Sequence, residues 1–266
     1  MGIILFFLIS FFASTVGVIS GLGGGIIIKP VLDMSGLAGV AVASFMSGVT
    51  VLSMTTMNLV RGLMHPKSML VDRKRSPFLA IGSIAGGFLG NFIYEQFMKS
   101  VGPEGQHVVG AVQAAILFLI TAAVMLYMIK KDKIKTKNIQ NLFVSLAVGL
   151  ALGMISSFLG IGGGPMNLVV LYYFFSMSSK VAAQNSLFII FCSQLVSLIS
   201  TLVGHTVPND LVPANLIVMI IGGIAGALLG GYFNKKMDDK MVDKLLMGVF
   251  TLILIINIYN FFKFII

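Results

Sequence analysis

Charge is what this chain has least of. Only 10% of its 266 residues are Asp, Glu, Lys or Arg, while 57% are hydrophobic. Soluble domains carry roughly 25% charged residues, so a soluble globular protein is excluded. The few charges are also unevenly placed. Charge-free runs cover 2–28, 34–60, 76–94, 105–129, 138–179, 181–209, 211–234 and 245–262. A membrane helix needs about 20 apolar residues, and these runs supply them. The apolar content excludes a disordered chain. Unbroken apolar runs without alternation exclude a β-barrel. The fold class expected is an all-α polytopic membrane protein, multi-pass in the lipid bilayer.

Other absences narrow the function. There is one cysteine, Cys192, so neither a disulfide framework nor a cysteine metal site can form. No Gly-x-x-x-x-Gly-Lys-Ser/Thr loop occurs, which excludes an ATPase. No His-Glu-x-x-His or Cys/His cluster occurs either. The three histidines, His65, His107 and His205, lie in or beside loops, so a membrane serine has no base near it. The chain therefore reads as no enzyme, with no cofactor and no metal. No Asp or Glu falls inside a long run, which argues against the carboxylate relays of many pumps. The net charge of +9 sits in loops and speaks to topology rather than to nucleic acid. Tryptophan is absent, leaving Tyr94, Tyr127, Tyr232 and Tyr259 as interfacial anchors. The N-terminus lacks a basic region and reads as a first membrane segment, not a cleaved signal.

What the chain has is repetition. Gly21-Leu22-Gly23-Gly24-Gly25 recurs as Gly160-Ile161-Gly162-Gly163-Gly164, an offset of 139. Val42-Ala43 and Ser47 meet Val181-Ala182 and Ser186 at the same offset. At offset 140, Gly82, Gly86 and Gly90 meet Gly222, Gly226 and Gly230, and His65 meets His205. The chain divides into a first membrane repeat (1–130), a basic linker (131–137) and a second membrane repeat (138–266). Each repeat has four apolar blocks, and each first block is broken by its glycine cluster.

Basic loops face the cytoplasm. That places the loop holding Arg61, Lys67, Arg73, Lys74 and Arg75 inside, with the linker and the loop around Lys235 and Lys240. The 204–213 loop, free of Lys and Arg, lies outside. Repeat-related loops then fall on opposite sides. The expectation is two inverted repeats with both termini outside, each opening with a glycine-rich broken helix or hairpin.

The glycine clusters point to chemistry. Glycine lets a ligand approach the backbone, and irregular backbone at membrane depth must be buried in protein or line a cavity. Pro165 suits a first helical position, so each cluster precedes a helix N-terminus, an end that favours anions. Two such ends from inverted halves form the arrangement of secondary transporters, although close helix packing also uses such residues. Candidate substrate-binding residues are Gly23, Gly24, Gly25, Gly162, Gly163 and Gly164, joined by Ser47, Gln184, Asn185 and Ser186. The polar residues serve either as neutral donors to an anion or as interhelical hydrogen bonds. The glycines at four-residue spacing read as packing stripes. Lys29 and Asp33, four apart, are spaced to pair on one helical face, the alternative being that Lys29 faces an anion.

Two four-block halves, each opening with Gly-x-Gly-Gly-Gly, resemble the TauE/SafE sulfite exporter family, also called the toluene-sulfonate uptake permease family. Gly160–Pro165 and Val181–Ser186 carry the resemblance most specifically. It implies secondary transport of sulfur-containing anions (sulfite, thiosulfate, sulfonates or sulfoacetate) across the inner or plasma membrane by alternating access. An anion channel and a non-transporting accessory protein are the alternatives. Beyond the small anionic substrate and the bilayer, the sequence leaves homo-oligomerisation open and implies no nucleic acid.

Overall fold

A computed structural model describes residues 2–64, 70–72, 74–102, 105–161 and 163–265. Among them every regular element is a helix: α1 (Gly2–Ser20), α2 (Gly25–Ser35), α3 (Val40–Met64), α4 (Ser76–Val101) and α5 (Gln106–Lys130), a 3₁₀ turn (Lys131–Lys133), then α6 (Leu142–Leu159), α7 (Pro165–Phe175), α8 (Ser179–Val203), α9 (Pro213–Lys236) and α10 (Asp239–Ile265). Eight of these are long and apolar enough to cross a membrane; the short ones are α2 and α7. At 1.5 Å per residue, the 11 residues of each short helix reach only about 16 Å, half a bilayer core. Each glycine-broken block is thus one full helix followed by a short one.

The breaks are written locally. Helix α6 starts at Asn141, whose side chain accepts from the Phe143 and Val144 N–H groups. It stops at Gly160, in the left-handed region at φ 64°. Gly163 and Gly164 stand at φ 125° and 111°, where a side chain is strained, and Pro165 opens α7.

Packing is reciprocal between the halves. Helix α4 packs against α6, α9 against α1, and α5 against α10. The glycine stripes make the first two contacts. A Cβ on Gly82, Gly86 or Gly90 would run into the Leu146, Leu150 and Met154 carbonyls, and one on Gly226 or Gly230 into those of Phe11 and Thr15. Because the matched positions rise together, α4 runs parallel to α6 and α9 parallel to α1. The largest apolar core lies among α5, α7, α8 and α10, around Leu117, Leu168, Phe175, Leu246 and Phe250.

The basic segments meet at one end of the bundle. Arg75 Nη1 donates to the Ile139 and Phe175 carbonyls, both at 3.3 Å. Lys131 pairs with Asp243, and the Lys180 N–H donates to Asp239 Oδ1 at 2.8 Å. At the other end, Thr206 Oγ1 donates to Glu95 Oε1 at 2.9 Å, joining the α8–α9 loop to the last turns of α4. His65 and Lys67 lie outside the described residues.

Candidate anion site

The two glycine clusters touch in the interior. A Cβ on Gly25 would overlap the Ile161 carbonyl. Gly21 presses on Ala183, and Gly160 on Ser44. These contacts are repeat copies of each other, since Gly160 is 139 beyond Gly21 and Ala183 is 139 beyond Ser44. Each cluster therefore leans on the third helix of the other half.

Two cavities flank this crossing. The larger, about 210 Å³, lies among the first half of α3, the end of α6 and the second halves of α4 and α8. The smaller, about 60 Å³, lies among the ends of α1 and α9, the second half of α3 and the start of α8. Their linings correspond through the repeat. Ser157, Phe45, Gly48 and Ser197 of the larger cavity match Val18, Gln184, Leu187 and Asn58 of the smaller at offset 139. Asn91, Tyr94 and Glu95 match Gly231, Asn234 and Lys235 at offset 140.

The chemistry of the two linings differs. The larger cavity is lined by Ser44, Tyr94, Ser157 and Gln194, whose hydroxyls and amide nitrogen are buried; Tyr94 and Ser44 lie within hydrogen-bonding reach of each other, while the Ser157 hydroxyl and the Gln194 amide nitrogen have no partner among the described residues. Buried polar groups are normally satisfied, so these four polar residues, two of them unpartnered, mark the lining as the candidate site. All four are neutral. The walls are apolar at Phe45, Val49, Met98 and Leu198, and Lys99 and Glu95 are the charged residues of the lining. The smaller cavity is lined by Arg61 and Lys235 and is narrowed by hydrogen bonds. Arg61 Nη1 donates to the Leu228 carbonyl and Asn234 Nδ2 to the Ile19 carbonyl, both at 2.9 Å.

The residues singled out in the sequence do not line the larger cavity. Gly24 precedes α2 between Ala13 and Met54, and Gly23 stands at φ 74°. The Ser47 hydroxyl lies 3.5 Å from the Gly25 carbonyl, while Ser186 is buried with its hydroxyl unpartnered. Gly163 and Gly164 shape the turn into α7, with Gly163 against Ile190. Gly162 lies outside the described residues. The cavity meets the second cluster at Gly160.

Gln184 and Asn185 hold a loop. Gln184 lines the smaller cavity and its Oε1 accepts from the Leu70 N–H at 2.6 Å. Asn185 Oδ1 accepts from the Asp72 N–H at 3.0 Å and from the Ser76 hydroxyl, while its Nδ2 donates to the Leu70 and Val181 carbonyls at 3.1 and 2.7 Å. All of its hydrogen-bonding groups are engaged. Asp72 in turn accepts from the N–H groups of Lys74 and Arg75 and from Arg75 Nε. Burial pushes the Asp72 carboxyl up, but the bonds from Arg75 and Lys74 and the charge of Arg75 outweigh it and hold the carboxyl below its usual value.

Tyr94 corrects one reading. It is no interfacial anchor: its hydroxyl is buried, and the residue lines the larger cavity. Ser44 and Gln194 were visible in the sequence only as polar residues on apolar helices. Ser157 gave no signal beyond standing three residues before the second cluster.

The family described as sulfite exporter TauE/SafE matches residues 6–258. The probable membrane transporter protein YunE of Bacillus subtilis (strain 168) is 25% identical over 266 residues, covering 95% of this chain and 96% of that protein. No solved structure matches the chain.

Proposed function

The chain belongs to the sulfite exporter TauE/SafE family, and we propose that this membrane transporter carries small sulfur-containing anions by alternating access between its two cavities. One observation carries the reading: the cavities are repeat copies at opposite ends of the bundle, one open at about 210 Å³ and one narrowed to about 60 Å³. If the repeats are inverted, exchanging their conformations closes the first and opens the second. The gathering of basic segments at the smaller-cavity end supports placing that end in the cytoplasm. The larger cavity then faces outward in this state.

The substrate class follows from the lining. Hydrogen bonds to a charged group contribute about 1.5–3 kcal/mol each, so neutral donors suffice to hold an oxyanion. The apolar wall of Phe45, Val49 and Leu198 suits the carbon part of an organic sulfonate. Proteoliposomes loaded with unlabelled thiosulfate, sulfoacetate or ethanesulfonate and exposed to the labelled compound test this. A carrier gives transient accumulation of label through trans-stimulation. A channel gives only equilibration, and an accessory protein gives no flux.

A further inference from the structure

Helix α2 carries an ion pair inside the bundle. Lys29 Nζ lies 2.7 Å from Asp33 Oδ2, with the side chains 3% and 5% exposed. In the sequence Lys29 and Asp33 stand between two charge-free runs at a spacing that pairs them, and the fold buries Asp33 inside the bundle, so a buried carboxylate is available after all. Charges there are costly and commonly functional.

The pair is incompletely satisfied. Asp33 Oδ1 is buried without a partner, and so is Gln113 Oε1 on α5. Both residues line one space of about 10 Å³ between α2, α5, the end of α6 and Asn257 of α10, whose Nδ2 donates to the Ile253 carbonyl at 2.8 Å. Gln113 cannot turn its amide to relieve this, because its Nε2 donates to the Phe158 carbonyl at 2.8 Å. Two acceptors thus share a space at the lower limit for a water molecule. A proton on Asp33 Oδ1 would make that oxygen a donor to Gln113 Oε1 and satisfy both atoms.

The space lies behind the wall of the larger cavity. Leu159 and Ile161 line the former, Ser157 and Gly160 the latter. Tyr94, which lines the larger cavity beside Ser44, is within electrostatic reach of Asp33. Other titratable groups near α2 are Lys263 on α10, whose Nζ donates to the Asp33 and Met34 carbonyls at 2.8 and 3.0 Å, and His107 in the first turn of α5. Helix α1 contributes none, and Arg61 of α3 stands at the far end.

We propose that Asp33 is a proton-binding site coupled to the anion, in which a proton on Oδ1 bonds to Gln113 Oε1 and leaves Lys29 as an uncompensated cation behind the larger cavity. With Asp33 ionised the pair is neutral and offers an anion nothing. With Asp33 protonated, the Lys29 charge favours an anion held by Ser44, Tyr94, Ser157 and Gln194. Proton and anion then each raise the affinity for the other by the same factor. The coupling rests on the anion-transport reading above; the proton site itself does not.

Infrared difference spectra of the purified protein between pH 4 and 9, without anion, test the site directly. A buried carboxylic C=O band should titrate, should vanish in Asp33→Asn, and should shift in frequency in Gln113→Met, which removes the acceptor but leaves Asp33. Absence of such a band, or its persistence in Asp33→Asn, overturns the proposal. Ethanesulfonate, which does not itself titrate in this range, then tests coupling. Its affinity should fall up to about ten-fold per pH unit above the midpoint of the band, and be flat with pH in Asp33→Asn. Binding that is equally flat in the parent protein overturns the coupling. A titrating band with no binding of any sulfur anion keeps the proton site and removes the transport reading instead.

Discussion

At the residue scale the unusual feature is a pair of buried donors beside the larger cavity, the Ser157 hydroxyl and the Gln194 amide nitrogen, with no partner among the described residues. Their removal should cost the empty protein little, since they make no hydrogen bond that holds the fold together. Ser157→Ala and Gln194→Leu should leave the melting temperature without anion nearly unchanged. Each should weaken sulfonate or thiosulfate binding by about ten- to a hundred-fold, the equivalent of one lost hydrogen bond to a charge. Melting shifts across an anion series measure both quantities together. Asn185 should behave oppositely. Asn185→Leu strands the Asp72 N–H and the Ser76 hydroxyl, at about 1–3 kcal/mol for each buried group left unmade. The variant should melt lower without anion yet retain the parent's anion affinity. A loss of affinity at unchanged stability would return Asn185 to the binding site. Sequence reasoning made Asn185 a candidate ligand, with interhelical hydrogen bonding as the alternative, because it stands soon after the second glycine cluster in the chain. Proximity in sequence does not say which way an amide points, and the α3–α4 loop that occupies it is 113 residues away. Tyr94 was misread for a related reason: a tyrosine near the end of an apolar run looks alike whether its hydroxyl meets headgroups or a cavity.

At the element scale the sequence was far more legible. Apolar runs bounded by charge mark the long helices, because a span in lipid must satisfy its own backbone. The four-residue glycine spacing identified packing stripes, and the stripes do bring α4 onto α6 and α1 onto α9. The division of each first block into a full and a half-length helix was not legible, since composition alone allows a hairpin, two short crossings or this. It depends on where α1 and α6 stop, which the left-handed glycines and the contact between the clusters decide. The stripes give a clean comparison. Gly86→Val places a side chain onto the Leu150 carbonyl, whereas Gly248→Val meets nothing within 4 Å. Overpacking costs about 1–3 kcal/mol, and here a backbone must move. Gly86→Val should lower the melting temperature and the yield of folded protein markedly, with Gly248→Val near the parent. Equal stability in both would mean that α4 and α6 separate easily.

At the scale of the whole molecule, the correspondence between the cavities makes alternating access testable with two positions. Ser197 lines the larger cavity and Asn58 the smaller, and they are repeat counterparts at offset 139. In a Cys192→Ser background, which removes the sole native thiol, Ser197→Cys and Asn58→Cys each place one reporter. An impermeant maleimide should reach Ser197→Cys from outside intact cells and Asn58→Cys from the cytoplasmic face of inverted vesicles. Labelling of both from one side would end the inverted arrangement. The decisive measurement is the rate of labelling with and without a transported anion. In a carrier the two cavities share one conformational equilibrium, so whatever raises access to one lowers access to the other. A ligand that favours one state shifts that equilibrium by no more than its differential affinity for the two states. An anion held more tightly by the larger cavity, beside the unpartnered Ser157 and Gln194 donors, should speed labelling of Ser197→Cys away from its own binding surface or protect it by occupancy. In either case it should slow labelling of Asn58→Cys, which the anion does not touch in that state. Slowing at the distant, unoccupied cavity is the signature that separates a carrier from a channel, where a bound anion in one vestibule leaves access to the other unchanged.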